Sequence, residues 1–343
     1  MVKYVAFRVD FDEIIGYGHV FRIINIAKYL LKNKIKIIII TTSIKKIKQI
    51  EKNIDKRFII EQAKNNYKSI VSILSKYSCT TLISDISNQH YLKKKNFFIK
   101  YNEFLRSKKI KTISFDDPEQ LCSSDLSIVP YACKSIKIKK LKKTRVLKGI
   151  EYAVMPVISK RFLKDKIKKL ADKILVVISG TADERLIKKI LLSISKINYQ
   201  KIKVKVFIGD NEKKNFSEIL KKNKHMKIIL FNKFKNILSL LLWSDIAIVG
   251  EGLIKYEVVA TRTPGFFINS AINQSNLNNK LIQDFDNLKV LNFLNKSDFK
   301  NSKKISKIFC NYMMSKEKRL LNFKNSKKIR FNQSLKIIQK YIK

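Results

Sequence analysis

The segment FRVDFDEIIGYGHVFRIINIAKYL, residues 7–30, sets a histidine directly behind two closely spaced glycines, Gly16 and Gly18, where an apolar strand gives way to a helix. The helix shows its apolar face in Val20, Ile23, Ile24, Ala27 and Leu31. A histidine at a helix N-terminus feels the positive end of the backbone dipole, which disfavours imidazolium and leaves the ring free to accept a proton near neutral pH. That is what a general base needs, and His19 is the residue assigned to it, against the alternative of a capping or packing histidine. Arg8 and Asp10 fall on one side of the preceding strand by its two-residue alternation. They orient His19, touch substrate, or form a structural ion pair, and Asp10 is carried as the second catalytic residue. The loop is not a dinucleotide fingerprint, because Phe21 stands where a third glycine belongs and Thr41 and Thr42, not an acid, end the second strand; no Gly-Lys-Ser/Thr phosphate loop follows either.

A second constellation, SDIAIVGEGLIKYEVVATRTPGFFINSAINQ, spans residues 244–274. An apolar strand ends in Gly250-Glu251-Gly252, and a helix follows that carries Glu257. Amides bared by such glycines can cradle a diphosphate, and a carboxylate one turn further in can accept the two hydroxyl protons of a ribose, so UDP or a similar nucleotide fits. A tight strand-to-helix turn and an exposed helix charge are the plainer readings of the same residues. A third loop, VVISGTADE at 176–184, offers Ser179, Gly180 and Thr181 after another strand, with Asp183 read as an N-terminal cap. No G-x-S-x-G elbow and no cysteine–histidine pair supports a serine or cysteine hydrolase.

These loops need strands to carry them. Short β-branched runs alternate with helical segments along most of the chain, the pattern of parallel βαβ units and an α/β class. Strands are expected near 3–9, 36–41, 80–84, 111–115 and 126–129, and again near 173–178, 203–208, 227–230, 246–249 and 265–268. At 343 residues the chain is long enough for two domains. The expected division is 1–155, a Rossmann-like domain with the Gly-x-Gly-His loop; 156–300, a Rossmann-like nucleotide-binding domain; and 301–343, terminal helices marked by Ile305, Ile308, Phe309, Tyr312, Met313, Leu335, Ile338 and Ile342.

The net charge of +46 invites a nucleic-acid partner. Only ten of the 73 cationic residues are arginine, however, and the lysines are spread over the whole chain among isoleucine and asparagine, which reads as drift in the composition of solvated faces. No nucleic-acid partner is expected, and weak association with anionic membrane surfaces would be incidental. No run reaches the roughly 20 apolar residues of a bilayer span, and the N-terminus lacks the pattern of a secretory signal, so a cytoplasmic protein is expected. Cys79, Cys122, Cys133 and Cys310 form no C-x-x-C pair, and His19, His90 and His225 lie at no zinc-ligand spacing to them. Neither a metal nor another cofactor is expected.

In this order the blocks resemble the metal-independent nucleotide-sugar hydrolases of pseudaminic acid biosynthesis, and more broadly the spore-coat-polysaccharide and MurG-like members of the GT-B superfamily. The resemblance runs over roughly residues 4–285 and is most specific in R-x-D-x(5)-G-x-G-H-x-x-R, here Arg8, Asp10, Gly16, Gly18, His19 and Arg22. Asp85 after a strand, Asp116-Asp117, Gly149-Ile-Glu-Tyr152-Ala, Gly180-Thr181, Gly250, Gly252, Glu257, Pro264 and Asn273-Gln274 extend it. It implies a GT-B-like fold, two Rossmann-like, doubly wound parallel-sheet domains facing a cleft, with C-terminal helices. It implies a nucleotide-sugar substrate, with the diphosphate near Gly250 and Gly252, the ribose on Glu257, and substrate contacts from Arg8, Gly16, Gly18, Arg22, Ser179, Gly180, Thr181, Asn273 and Gln274. His19 would face the anomeric carbon and activate water to release a deoxyaminosugar, for pseudaminic acid or surface polysaccharide; a glycosyltransferase is the alternative. The chain departs from the family where a hydroxyl-bearing Gly-Gly-Ser/Thr turn is replaced by Gly250-Glu251-Gly252-Leu253-Ile254, which leaves more of the phosphate binding to backbone amides.

Overall fold

Parallel strands that follow one another in sequence need a crossover, and a helix supplies it. The runs of isoleucine and valine fold accordingly into two all-parallel sheets joined largely by helices, although residues 116–125 and 130–144 cross over without one. The structure is a computed structural model, and it describes residues 4–10, 18–42, 54–64, 66–86, 97–156, 158, 160–178, 183–198, 202–209, 211, 213–222, 226–232, 236–250, 252–269 and 276–342. The chain divides into two compact units, Met1–Pro156 with Arg330–Lys343, and Val157–Ile329.

The first unit runs β1 (Tyr4–Val9), α1 (Gly18–Lys32), β2 (Lys36–Thr41), β3 (Ile59–Gln62), α2 (Tyr67–Lys76), β4 (Thr81–Asp85), α3 (Phe97–Ser107), β5 (Lys111–Phe115), β6 (Leu126–Val129) and β7 (Arg145–Lys148). Its strands lie in the order β3-β2-β1-β4-β5-β6-β7. β1 and β2 read YVAFRV and KIIIIT and are buried on both faces, as strands covered by helices on either side must be. Alternation sends Val5, Phe7 and Val9 to a layer with Val20, Ile23, Ile26, Ala27 and Leu30 of α1. Ala6, Ile38 and Ile40 go to the opposite layer, with Ile70 and Leu74 of α2 and Tyr101 and Leu105 of α3.

All three of these helices close without glycine, α2 on Ser78 at φ 52° and the other two on lysine. At the end of α1, Lys34 holds φ 62° while the amides of Lys34 and Ile35 donate to the carbonyls of Leu31 (3.0 Å) and Leu30 (3.3 Å). Lys109 does the same after α3, at φ 59°. Glycine is the usual occupant of this left-handed position, and a chain with 8 glycines uses lysine there instead.

The second unit runs β8 (Lys173–Val177), α4 (Glu184–Ser195), β9 (Ile202–Phe207), α5 (Ser217–Lys222), β10 (Met226–Phe231), α6 (Ile237–Trp243), β11 (Ile246–Val249), α7 (Ile254–Ala260), β12 (Gly265–Asn269), α8 (Asn276–Asn287) and β13 (Asn292–Asn295). The strand order is β10-β9-β8-β11-β12-β13. β3, β7 and β13, which the sequence does not announce, are all edge strands.

The segment 301–343, expected as one group of terminal helices, is shared between the units. α9 (Ser302–Met314) and α10 (Lys316–Lys328) stay with the second unit, where the fully buried Arg319 donates to the carbonyls of Tyr312, Lys168 and Lys169 at 3.1, 3.1 and 2.8 Å. α11 (Gln333–Ile342) returns to the first unit and adds Leu335, Ile338 and Ile342 to the α1 layer. Asn332 fastens this return by accepting from the Met155 amide at 2.7 Å and donating its own amide to the Ala153 carbonyl at 3.1 Å. The Gly149–Ala153 block that contributes to the family resemblance forms a short helical turn here, and its Tyr152 carbonyl accepts from the Ser334 hydroxyl at 2.9 Å.

Candidate active site

In an open parallel sheet the chain winds outward in both directions from one pair of adjacent strands. Their C-terminal ends then leave a crevice where loops diverge. In the first unit that pair is β1 and β4, registered with Val9 opposite Asp85. His19, the second residue of α1, sits at this crevice with its side chain 19% exposed. Its Nδ1 lies 2.6 Å from Oδ1 of Asp85, which is completely buried as the last residue of β4. One helical turn on, Arg22 holds the same carboxylate, with Nε donating to Oδ2 at 2.6 Å and Nη2 to Oδ1 at 3.1 Å. The guanidinium also lies 5.1 Å over the ring of Phe115. The three-residue spacing of His19 and Arg22 puts both on one helix face, and both meet Asp85 there.

The charges fix the hydrogen positions. Burial pushes the Asp85 carboxyl upward, but the Arg22 charge and the bonds from His19 and Arg22 outweigh it and hold the group below the usual carboxylate range. Burial works against the Arg22 charge, yet Asp85 raises its pKa overall. An ionised carboxylate only accepts, so His19 Nδ1 must donate to it and carry a proton. Arg22 Nη2, 3.3 Å from Nδ1, is then a second donor directed at Asp85, not at the ring. In a neutral imidazole this leaves the lone pair on Nε2, the arrangement a proton acceptor needs.

Asp10, expected from the sequence as the second catalytic residue, makes a separate set of contacts. Its carboxylate accepts from Arg8 Nη1 at 2.7 Å, from the Thr42 amide and hydroxyl at 2.8 Å each, and from Thr41 Oγ1 at 3.3 Å. These partners hold its pKa down against burial. β1 has β2 on one side and β4 on the other, and the Asp10 carboxylate turns toward β2 while His19 reaches Asp85 at the end of β4. Alternation along β1 places Arg8 and Asp10 together but does not say which neighbouring strand they address. They form the ion pair, with Arg8 1% exposed. The acid in contact with His19 is Asp85, whose local signal is only an aspartate closing the strand TLISD.

Further acids crowd the same end of the sheet. Tyr131, beyond β6, donates to Asp117 Oδ1 at 2.6 Å, and the Asp117 charge helps to raise the pKa of Arg22. Asp116 is buried, accepts from Ser114 Oγ at 2.6 Å, and is pushed up to about 6 by burial.

In the second unit the diverging pair is β8 and β11. The Gly250 amide donates to the Val177 carbonyl at 3.0 Å, and a Cβ on Gly250 would lie 1.5 Å from the Ile178 carbonyl oxygen, so the end of β11 can pack against β8 only without a side chain. Gly252 holds φ 103° with nothing within 4 Å of where a Cβ would be, a backbone shape favouring glycine beside open space. Glu257, in the first turn of α7, is half-buried, and among the described residues its carboxylate has no hydrogen-bond or charge partner. Burial alone pushes it up to about 7. Asp183 caps α4 by accepting from the Leu186 amide at 3.1 Å.

Gly16, Ser179, Gly180, Thr181, Asn273 and Gln274 lie outside the described residues. Among the described residues no group of three or more His, Cys, Asp or Glu is placed to hold a metal ion, and no helix is long and apolar enough to cross a membrane.

Two parallel, doubly wound units with these strand orders define a GT-B fold, and solved structures agree over the full chain. MurG of Acinetobacter baumannii is similar with a TM-score of 0.70, 12% identity and 99% of each chain covered. The UDP-GlcNAc 2-epimerase of Neisseria meningitidis, bound to UDP-GlcNAc, is similar with a TM-score of 0.64, 13% identity and 99% of each chain covered. UGT2 of Phytolacca americana, complexed with UDP-2fluoro-glucose and pterostilbene, is similar with a TM-score of 0.69, 10% identity and 99% of each chain covered. No protein-family model matches the sequence, and no curated protein matches it significantly.

Proposed function

We propose that this chain hydrolyses a nucleotide-activated deoxyaminosugar, with UDP as the nucleotide, in the making of pseudaminic acid or another surface polysaccharide. The observation that carries the reading is the His19–Asp85–Arg22 chain at the β1/β4 crevice, where a buried, arginine-held carboxylate fixes the ring with its Nε2 lone pair available. Nε2 of His19 takes a proton from water as the water oxygen attacks the anomeric carbon. The bond from that carbon to the diphosphate oxygen breaks, the electron pair leaves on the diphosphate, and the configuration inverts. Asp85 stabilises the imidazolium that forms, and Arg22 keeps Asp85 ionised and in place. General-base assistance of this kind is worth about 10² to 10⁴ in rate.

Nucleotide binding is assigned to the second unit. The amides around Gly250 and Gly252 would meet the diphosphate, and the unpartnered Glu257 carboxylate would accept the ribose hydroxyls. Two of the similar structures hold UDP-sugar ligands, which supports a UDP-sugar substrate.

A glycosyltransferase is the second reading, favoured by the likeness to a complex that holds pterostilbene beside UDP-2fluoro-glucose. It uses the same base on an acceptor hydroxyl. A panel of UDP-, GDP- and CMP-sugars incubated without acceptor and followed by NMR separates the readings. Free sugar of inverted anomeric configuration supports hydrolysis, while strict dependence on an added acceptor, or accumulation of an isomerised intact nucleotide-sugar, refutes it. His19→Ala is expected to retain UDP binding and lose about 10² to 10⁴ in turnover; near wild-type turnover would remove His19 from the mechanism.

A further inference from the structure

A groove of about 380 Å³ opens at the opposite end of the first sheet from His19, lined by Arg106, Lys109, Ile110, Lys111, Asp125, Lys143 and Tyr341. Lys111 is the first residue of β5, Asp125 directly precedes β6, and Lys143 lies just before β7, so the groove lies along the N-terminal edge of the sheet. The residues of the His19 crevice lie at or beyond the C-terminal ends of strands.

Its charge is uneven. Four cationic side chains surround one carboxylate, and that carboxylate is already engaged. Asp125 Oδ1 accepts from Arg106 Nε at 2.6 Å, and Oδ2 accepts from the amide and hydroxyl of Thr112 at 2.7 and 2.9 Å. Arg106 Nη2 donates to the Ser123 carbonyl, so the guanidinium is fixed from two directions. Lys111 lies 5.7 Å over the Tyr341 ring, which is presented by the returning α11. Lys109 and Lys143 are exposed and have no side-chain partner among the described residues. Lys109 is also held in the left-handed backbone conformation described above, which fixes where its side chain leaves the chain.

The groove sets two lysines, unpartnered among the described residues, beside an acid that is neutralised from within and against an aromatic wall. We infer that this groove is a binding site for a phosphorylated ligand bearing two or more negative charges, separate from the nucleotide-sugar site. Arg106 and Lys111 form its ordered floor, Lys109 and Lys143 close on the phosphoryl oxygens from the rim, and Tyr341 gives an organic substituent an apolar face. A free phosphorylated metabolite and a phosphate-bearing lipid headgroup share this chemistry.

The test uses inorganic pyrophosphate with the full chain, by calorimetry at about 0.15 M salt, where diffuse attraction is largely screened. The site variant is Lys109→Glu/Lys143→Glu. The control is Lys303→Glu/Lys307→Glu, an equal change of charge on exposed residues of α9. The site variant is expected to lose one bound pyrophosphate from the stoichiometry, or to weaken that step at least about tenfold, while the control retains it. Counting the lost step separates this groove from any pyrophosphate taken up by the second unit. Equal losses in both variants, or wild-type stoichiometry and affinity together in the site variant, overturn the inference. Co-sedimentation with phosphatidylglycerol vesicles identifies the source: binding with the same variant dependence assigns a lipid headgroup, and no vesicle binding beside an intact pyrophosphate step assigns a free metabolite.

Discussion

Glu257→Gln is expected to make the second unit more stable while weakening its nucleotide binding. The carboxylate is raised from 4.5 to about 7 by burial with no compensating partner among the described residues. A raised folded pKa means that the folded state holds the proton more tightly than the unfolded chain. The stability this contributes is fully present below about 4.5, falls as pH rises, and is lost once pH passes about 7. At about 1.4 kcal/mol for each pH unit of separation, the penalty carried at pH 8 is about 3 kcal/mol. Glutamine keeps the shape and removes the ionisation, so the variant should exceed the wild type by up to about 3 kcal/mol at pH 8 and by little at pH 4.5. The single tryptophan, Trp243 on α6, lies in the second unit and reports its unfolding alone. With urea slopes of about 1–3 kcal/mol/M, the midpoint at pH 8 should rise by about 1 M or more. UDP affinity of the variant should fall in the same samples, because an amide accepts from two ribose hydroxyls less well than a carboxylate. Equal urea midpoints at pH 8, or a difference that does not change with pH, would refute the burial argument; unchanged UDP affinity would remove Glu257 from the ribose.

Asp85→Asn should lower turnover by about 10² to 10⁴ with little change in nucleotide affinity, because an amide no longer enforces the Nδ1–H tautomer of His19; ¹⁵N spectra of the ring should show the tautomer mixture, and full activity would contradict the dyad. The same variant leaves Arg22 buried without its counter-charge and should destabilise the first unit by about 3 kcal/mol, seen in hydrogen exchange of β1 and β4. Ile338→Ala should cost the first unit about 2–5 kcal/mol while leaving the Trp243 transition unchanged, since Ile338 packs only into the α1 layer. Lys34→Gly should leave the fold intact and raise the stability of the first unit by up to about 1 kcal/mol, by relieving a side chain from a left-handed backbone; a loss of stability in urea would refute that account.

The interior of each sheet was legible from the sequence because strands buried on both faces must be continuous apolar runs, as KIIIIT and IAIV are. The edge strands IIEQ, RVLK and NFLN were not, since one open side lets polar residues into short strands and erases the pattern. His19 stands out in the sequence because its glycines and helix lie beside it. Asp85 lies 66 residues away and gains its meaning only when β4 pairs with β1. For Asp10 the two-residue period gives a face shared with Arg8 but not the neighbouring strand that the pair addresses. The amphipathic spacing of 301–343 likewise marked helices that bury one side without saying which core receives them. At Glu257 the residue type suggested a hydroxyl acceptor, but its elevated proton affinity depends on how α7 is covered, which no local pattern records.

The return of α11 to the first sheet makes that unit discontinuous, with the whole second unit inserted between its penultimate and final pieces. During synthesis the inserted part has its complete complement of residues first, while the earlier part waits with an oily stripe along α1 uncovered until Leu335, Ile338 and Ile342 leave the ribosome. A gene fragment cut after Pro156 would be left in that waiting state permanently, prone to clumping and unfit for studying the histidine in isolation. A circular permutant that brings residues 330–343 ahead of Tyr4 would instead deliver the missing helix at the outset, giving the His19 half a route to independent expression.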